Sequence, residues 1–229
     1  MKTKNLIFLT LILLTLSACA PAVVTETIPT TAITTEVPTM GPTETETASP
    51  TETGIATETE TPTEVMSLEA TADLAVTALA EKDLAALADL VHPEMGVRFS
   101  PYAYVEEEQL VFMADQLPGL LGSDEVYHWG VYDGSGQPID LTFSEYYDQF
   151  VYSLDLNNAD ETAVNERLGQ GNSLNNIDEF YPDSSFVEYY INGIDPQYDG
   201  MDWQSLRLVF KQESDRWLLI GIVHDEWTI

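Results

Sequence analysis

A tract of low complexity near the N-terminus limits what this chain can fold into. Residues 20–65 contain sixteen Thr, eight Glu and six Pro, and they contain no aromatic residue. Such a composition offers little apolar surface to bury, so ordering the tract would cost more conformational entropy than burial returns. The sequence therefore predicts a disordered stalk, and it leaves residues 66–229 as the part of the chain that can form one folded domain.

The composition of the stalk suits two roles. Proline and the mutual repulsion of glutamates favour an extended chain, as a spacer requires. The abundance of Thr and Pro also suits O-glycosylation. The sequence is compatible with a bare spacer and with a glycosylated one.

The residues before the stalk have the layout of an export signal. Lys2 and Lys4 give a positively charged start, and an apolar run from Leu6 to Leu16 follows, interrupted only by threonine. The run is about half as long as the ~20 residues of a membrane-spanning helix, and it matches the apolar core of a signal peptide.

Leu16, Ser17, Ala18 and Cys19 close this signal, and they resemble the lipobox of bacterial lipoproteins. The resemblance implies a signal peptide over 1–18 with cleavage after Ala18. Residues 19–65 would then be a lipidated Cys19 followed by the stalk. Ordinary secretory cleavage after Ala20 is the alternative, and it would place Pro21 directly at the cut.

An acylated Cys19 would hold the protein to the lipid bilayer, because two or three acyl chains exceed the threshold for stable anchoring. The expected location is the cell envelope, on the extracytoplasmic side of a membrane. The sequence leaves open whether this is an inner or an outer membrane.

The charge of the folded part excludes one class of partner. Residues 66–229 carry 31 acidic side chains and six basic ones, within a chain whose net charge is −31. Such a field repels phosphate backbones and anionic headgroups, so we expect no nucleic-acid binding and no docking to headgroups. The acidity suits solubility or, alternatively, a cationic partner.

Cys19 is the single cysteine, so the domain has no disulfide and no thiol nucleophile.

Periodicity and turn signals predict mixed secondary structure. Ser67 and Asp83 can each cap a helix, which together would form a helical hairpin ending at Pro93. A capping box at Thr142 and Glu145 opens a later helix. The other predicted elements are a helix over 106–121, a strand over 126–132, a loop over 155–183 with a short helix at 162–168, a strand over 186–191, and a hairpin of 206–211 with 216–224.

This order of elements favours the α+β class with an antiparallel sheet, because no βαβ alternation is present.

The two ends of the domain resemble the NTF2-like (cystatin-like cone) superfamily. The resemblance rests on Glu81-Lys82-Asp83-Leu84 and Val91-His92-Pro93-Glu94 in the helical hairpin and Trp217-Leu218-Leu219-Ile220 in the closing hairpin. It implies an N-terminal helical hairpin packed on a curved antiparallel sheet. The Asn-rich insertion at 155–183 departs from the compact family core, and the family includes both enzymes and binders.

Candidate catalytic residues are few. His128 lies on a predicted strand, and His224 and Asp225 end the last one. If both histidines faced one cavity, an imidazole with a neighbouring carboxylate could act as a general base. The alternative is that His224 bonds the backbone while Asp225 faces solvent, since the sequence marks no nucleophile.

The ligand-binding candidates combine one cation with histidine and aromatic side chains. Arg98 stands out as a base in an acidic domain, where it could pair with a carboxylate or receive an anionic group. Eleven Tyr and four Trp give surfaces suited to sugars, peptides or other flat partners. The candidates are Arg98, His128, Trp129, His224 and Trp227.

One acidic loop resembles a calcium loop in part. Asp195, Gln197 and Asp199 place oxygens at positions 1, 3 and 5, with Gly200 at position 6, but Leu206 replaces the bidentate Glu of position 12. We therefore expect no cofactor, with calcium as the alternative.

These features together predict a membrane-tethered extracytoplasmic lipoprotein with a non-catalytic domain that binds a ligand or an envelope partner. The alternative is an NTF2-like hydrolase or isomerase that uses a His–carboxylate pair.

Overall fold

The computed structural model describes residues 65–193 and 195–228. The predicted signal peptide, lipobox and nearly all of the stalk lie outside the described residues. The helices and strands, in chain order, are α1 (Leu68–Ala80), α2 (Leu84–Ala88), β1 (Val97–Ser100), β2 (Val111–Phe112), β3 (Val126–Val131), β4 (Pro138–Thr142), α3 (Phe143–Tyr146), β5 (Glu161–Val164), α4 (Ile177–Phe180), β6 (Ser184–Ile191), β7 (Gln204–Glu213) and β8 (Arg216–Glu226).

Six strands form one open sheet in the order β2-β1-β8-β7-β6-β5, and β3 with β4 forms a separate two-stranded sheet. The predicted α+β class is confirmed. The prediction of a purely antiparallel sheet is wrong, because β1 pairs with β8 in parallel. The last strand enters between β7 and β1, so it pairs with a segment more than a hundred residues away, and local patterns carry no information on that direction.

The long β7–β8 hairpin contains a bulge that bends the sheet. Val209 pairs with Gly221 and Phe210 with Leu219, so Ile220 is an extra residue on β8. A side chain at position 221 would have its Cβ 2.9 Å from the Tyr181 hydroxyl oxygen, which explains the glycine there. The pairing of β7 with β8 therefore shifts by one residue between Val209 and Phe210.

One face of the six-stranded sheet carries the main apolar core. Alternate residues of β7, such as Leu206 and Leu208, pack there beneath α1 and α2. An aromatic cluster around Phe99 extends this core to the β3–β4 sheet, and within it Trp129 stacks on Tyr146 with ring centroids 3.7 Å apart. This face, called the apolar face below, is closed by regular helices.

The opposite face carries a smaller core and several charged side chains. Its apolar members include Phe186, Val209 and Val223. The segment 165–183, which contains α4, packs over this face, called the charged face below. The sheet is thus covered on both sides, by helices on one and largely by irregular chain on the other.

Local signals placed some helices correctly. The Ser67 hydroxyl accepts the Ala70 N–H at the start of α1, and the capping box of Thr142 and Glu145 is present at α3. A π-helical turn at Tyr147–Val151 continues α3. The predicted hairpin of two helices is not confirmed, because α2 has only five residues.

Two predicted helices are wrong. Residues 106–121 contain strand β2 and a 3-10 helix at Leu117–Gly122. Pairing of β2 with β1 places Phe112 in the core, and this tertiary contact overrides local helix propensity. Residues 161–164 form strand β5, because β6 offers an edge with which they pair.

Candidate functional site

A groove with aromatic walls is the surface feature best shaped to hold a ligand. Its volume is about 560 Å³, inside the range of roughly 300–1,000 Å³ that small-molecule sites have. Residues from three segments line it, 101–109, 129–136 and 172–174. A second depression of about 530 Å³ lies beside the β7–β8 turn, but no aromatic side chain lines it.

Arg98 shapes the first wall of the groove. Its Nη1 donates to the carbonyl oxygens of Glu106, Glu107 and Gln109 at 3.1, 2.8 and 2.7 Å. The guanidinium also lies 5.1 Å from the ring centroid of Phe180. Arg98 therefore holds the chain that carries the wall, with backbone carbonyls in place of the carboxylate or anionic ligand considered from the sequence.

The turn between β3 and β4 forms the second wall. Tyr132 exchanges two backbone hydrogen bonds with this turn, accepting the Gly136 N–H and donating to the Gln137 carbonyl, each at 2.8 Å. Gly136 has a φ of +65°, a value that glycine adopts without strain. The Asp133 N–H donates to the Tyr102 hydroxyl at 3.2 Å, which ties the second wall to the first.

The third wall is the segment 172–174, which the C-terminal end of the described chain holds. Thr228 Oγ1 donates to the Asn172 side-chain oxygen at 3.1 Å and lies 3.2 Å from Ser173 Oγ. The Arg167 guanidinium also reaches the Ser173 carbonyl, at 3.5 Å. Leu174 extends from this wall with 76% of its surface exposed.

A buried charge cluster on the charged face anchors the segment that leads to this third wall. Arg207 Nη2 donates to Glu188 Oε1 at 3.0 Å and to Asp225 Oδ2 at 2.6 Å, and all three side chains are fully or almost fully buried. Arg167 Nη2 also donates to Asp225 Oδ2, at 2.9 Å. Two positive and two negative side chains therefore meet at one buried site.

Glu188 connects the cluster to the backbone of the covering segment. Its carboxylate accepts the Leu168 N–H at 2.7 Å and the Gly169 N–H at 3.2 Å. Trp203 packs closely against Gly169, where an added Cβ would lie 2.3 Å from the indole ring. The cluster therefore fixes the path of an otherwise irregular segment.

The rim of the groove exposes apolar surface. Tyr104, Val131 and Leu174 line the groove, with 47%, 52% and 76% of their surfaces exposed. Tyr102 lies deeper, and burial raises the pKa of its hydroxyl; the charges of Glu226 and Asp133 raise it further, against a hydrogen bond from the Asp133 backbone that lowers it. The groove is thus aromatic at its floor and negative in its field.

The two histidines proposed for catalysis do not meet. His128 lies on the exposed β3–β4 sheet, where its Nδ1 is 2.7 Å from Asp140 Oδ1. His224 is buried on the apolar face, where its Nδ1 is 3.1 Å from the Pro101 carbonyl oxygen and its ring packs edge-on against Phe150. Burial lowers the pKa of His224 to about 4, so its imidazole is neutral at ordinary pH.

His224 and Asp225 are also separated from each other. They are adjacent on β8, so their side chains project to opposite faces of the sheet. Asp225 is held by Arg207 and Arg167 and does not face solvent. The proposed pairing of an imidazole with this carboxylate is therefore not formed.

The two tryptophan candidates differ in their surroundings. Trp129 is almost fully buried, and its Nε1 donates to the Leu141 carbonyl at 3.0 Å, so it is a packed residue of the groove floor. Trp227 is 40% exposed and follows the end of β8. Of the five ligand-binding candidates, Trp129 is a lining residue and Arg98 supports a wall.

In the acidic loop at 195–200, the Asp195 carboxylate is used within the loop itself. Asp195 accepts both the backbone and the side-chain N–H of Gln197, at 2.9 and 2.6 Å, and Asp199 has a left-handed backbone with φ of 51°. Within residues 65–193 and 195–228, no three His, Cys, Asp or Glu side chains are grouped so that they could hold a metal ion. This part of the chain therefore offers no set of ligands that would support the calcium hypothesis.

The sequence analysis missed the residues that build the site. Tyr102 and Tyr104 lie on one segment and Tyr132 on another. The two segments are close only in the folded protein, and no sequence motif indicates that they meet. Glu188 and Arg207 carried a usable signal, because each is a charged residue flanked by apolar residues within a strand. Opposite charges at such positions in neighbouring strands indicate a buried pair.

Comparisons with known proteins add little. No protein-family model and no curated protein matches the chain. Three solved structures show distant similarity. One is a Xanthomonas campestris chain described as a calcium/calmodulin-dependent protein kinase II association domain, with a TM-score of 0.29 and 15% identity, covering 69% of this chain and 84% of that one. The others are a DUF4783 family protein from Bacteroides ovatus, with a TM-score of 0.26, 12% identity and coverages of 68% and 94%, and an NTF2-like designed chain, with a TM-score of 0.28, 12% identity and coverages of 68% and 93%. At these TM-scores no argument about fold or function follows.

In the described part of the chain, no helix is long and apolar enough to cross a bilayer.

Proposed function

We propose that this protein is an extracytoplasmic lipoprotein, anchored through acylated Cys19, whose domain binds a ligand non-catalytically in the groove between residues 101–109, 129–136 and 172–174. The observation that carries the binding proposal is the groove itself. It is large enough for a small molecule, and exposed Tyr104, Val131 and Leu174 offer apolar surface that a ligand would bury.

The NTF2-like cone is part of the same proposal. Helix α1 packs on the apolar face of a bent, open sheet that ends in a long hairpin, as that resemblance implies. The groove would then be a loop-built site at one end of a rigid scaffold, the arrangement in which binding residues commonly occur.

The hydrolase or isomerase alternative lacks a supporting observation. His128 and His224 lie apart, and neither shares the groove lining. A general base must come within hydrogen-bond reach of the proton that it removes, and the buried His224 imidazole offers no such access. We therefore retain binding as the proposed function.

Anchoring is tested by replacing Cys19 with Ser in cells that carry the lipoprotein pathway. We expect the wild-type protein to partition into detergent and to incorporate labelled fatty acid, because acyl chains contribute about 0.8 kcal/mol per buried CH₂. The Cys19→Ser chain should carry no label. Equal labelling of the two chains would show that the anchor is elsewhere.

Groove binding is tested by thermal unfolding of the full chain, in detergent, against a panel of small molecules from several chemical classes. A ligand at about 100 times its Kd should stabilise the folded state by roughly 2.7 kcal/mol. Tyr104→Ala, which removes a rim aromatic, should abolish the shift. Tyr198→Ala is the matched control, because Tyr198 is 49% exposed and lies outside the groove. A panel with no stabilising member, or stabilisation that survives Tyr104→Ala, would contradict the proposed function.

A further inference from the structure

The charges around the groove have one sign. Glu106 and Asp133 line it, and none of its described lining residues is Lys or Arg. Arg98, the base that supports the first wall, directs Nη1 at three backbone carbonyls and stacks over Phe180. The surrounding residues 66–229 carry 31 acidic and six basic side chains. The potential at the groove is therefore negative, and it concentrates cations.

The carboxylates of the groove have capacity left for a ligand. Asp133 uses Oδ1 to accept the Gly134 N–H at 2.9 Å, and its Oδ2 makes no hydrogen bond or ion pair with the described residues. The Glu106 carboxylate likewise makes none with residues 65–193 and 195–228. Exposed, unpaired carboxylates beside a cavity favour a ligand with N–H donors or positive charge.

The aromatic rings complete a surface suited to a cation. Tyr102 and Tyr132 both pack against Phe150, with ring centroids 5.9 and 6.2 Å from its own. The Tyr102 hydroxyl also accepts the N–H of Asp133, the residue after Tyr132, so the two tyrosines are neighbours at the floor. Tyr104 stands at the rim. The face of an aromatic ring carries negative partial charge and attracts ammonium groups.

We infer that the ligand of this groove is an organic cation, bound through an alkyl-ammonium group seated among Tyr102, Tyr104 and Tyr132 and neutralised by Glu106 and Asp133. This inference rests on the proposed function, since it names the ligand class of the same groove. It also gives the excess of acidic side chains a role beyond solubility, because a negative field steers a cation toward its site. The same field disfavours phosphate, carboxylate and sulfate ligands.

Isothermal titration of the full chain, in detergent at low ionic strength, tests the ligand class. Choline and spermidine supply free ammonium cations, and a short lysine peptide supplies the same group on a polypeptide. The matched control for choline is its neutral carbon isostere, in which a tert-butyl group replaces the trimethylammonium group. We expect choline to bind at least about tenfold more tightly than the isostere, a difference of about 1.4 kcal/mol, and the affinity to fall as salt is added.

Charge substitutions at the rim locate the effect. Val131→Lys places an ammonium group at the groove, whereas Val131→Gln adds comparable bulk without charge. We expect Val131→Lys to weaken choline binding by about tenfold or more relative to Val131→Gln. Val126→Lys is the second control, because Val126 is exposed on the same strand but does not line the groove. It changes the net charge equally and should leave affinity within about threefold.

The outcomes separate the inference from the function on which it rests. Tight binding of free ammonium ligands or of the lysine peptide supports the inference, and their ratio identifies which source the groove prefers. Equal binding of choline and its isostere, or binding of maltose or inorganic phosphate but no ammonium compound, overturns the inference and leaves groove binding standing. Absence of binding by every probe class overturns both.

Discussion

The two faces of the six-stranded sheet are built from alternate residues of the same strands, yet different forces hold them. On the apolar face, Leu206 and Leu208 pack beneath regular helices. On the charged face, Arg207 lies between them in sequence and joins Glu188 and Asp225 in a buried cluster. Helices with an apolar stripe cover the first face, and the segment 165–183 covers much of the second.

This difference shows how an irregular segment can be held against a sheet. The segment has little apolar periodicity, so hydrophobic burial alone would define its path poorly. Buried carboxylates compensate, because Glu188 accepts two backbone N–H groups of the segment and Asp225 accepts Arg167 from it. The third wall of the groove belongs to this segment, so the charged face supports the proposed site while the apolar face supports the fold.

The largest expected effect comes from removing the centre of the charge cluster. Arg207→Met leaves Glu188 and Asp225 buried without their shared cation, which should lower the free energy of unfolding by about 3–5 kcal/mol. Urea denaturation followed by tryptophan fluorescence measures it. In the control, Arg207→Lys keeps a cation between the two carboxylates and should therefore lose less stability than Arg207→Met. A loss under about 1 kcal/mol for the single variant would show that water already screens the cluster.

The apolar face should respond to loss of volume. Leu208→Ala removes a fully buried side chain and leaves a cavity, so we expect a loss of about 3 kcal/mol in the free energy of unfolding. Leu174→Ala is the matched control, because Leu174 is largely exposed, and it should change stability by less than about 0.5 kcal/mol. Similar effects at the two positions would contradict the burial of β7.

His224 should make the apolar face sensitive to acid. Its pKa is lowered by burial to about 4, below the value of about 6.5 expected in the unfolded chain. The unfolded state therefore gains a proton first, and stability is lost as pH falls from about 6.5 towards 4. Between pH 7 and 5 this linkage amounts to about 2 kcal/mol.

Comparison with a variant that cannot titrate isolates the contribution of His224. His224→Gln keeps a polar side chain at the position, and its unfolding free energy should vary less between pH 7 and 5 than that of wild type, by about 2 kcal/mol. Equal pH dependence in the two chains would show that the imidazole takes up a proton in the folded state as readily as in the unfolded one.

The smallest expected effect concerns an ion pair at the surface. Lys82 Nζ lies 2.7 Å from Asp148 Oδ1, a shorter separation than that between Arg207 and Glu188, but both partners are at least half exposed. Asp148→Asn should therefore change stability by under about 1 kcal/mol. A larger loss would show that ion-pair distance, rather than burial, separates this pair from the cluster.

Local sequence signals correctly predicted the elements that are stabilised by contacts between residues close in the chain. Ser67 and the Thr142–Glu145 capping box correctly marked helix starts, since each supplies a hydrogen bond within one turn. The β7–β8 hairpin was also correctly predicted, because a short polar turn joins two runs rich in apolar and β-branched residues. The helix predicted over 106–121 failed, because Phe112 gains more by packing against Phe99 and Trp129 than by helix formation.

The candidate site was much less predictable. Arg98 and Trp129 were selected from the sequence and do contribute to the groove, but as a wall support and as a floor residue. His224 and Asp225 were selected for adjacency in sequence, which on a strand places side chains on opposite faces. The tyrosines that define the groove come from segments separated by about thirty residues and share no motif.

The sequence by itself determined the acidity of the domain, the mixed α+β class, the main capped helices and the closing hairpin, because each depends on composition or on residues a few positions apart. Tertiary structure alone decided the parallel pairing of β1 with β8, the meeting of Arg207 with Asp225 and Arg167 in one cluster, and the assembly of the groove. These features depend on contacts between segments distant in the chain. Their free energies arise from burial and pairing in three dimensions, which local propensity does not encode.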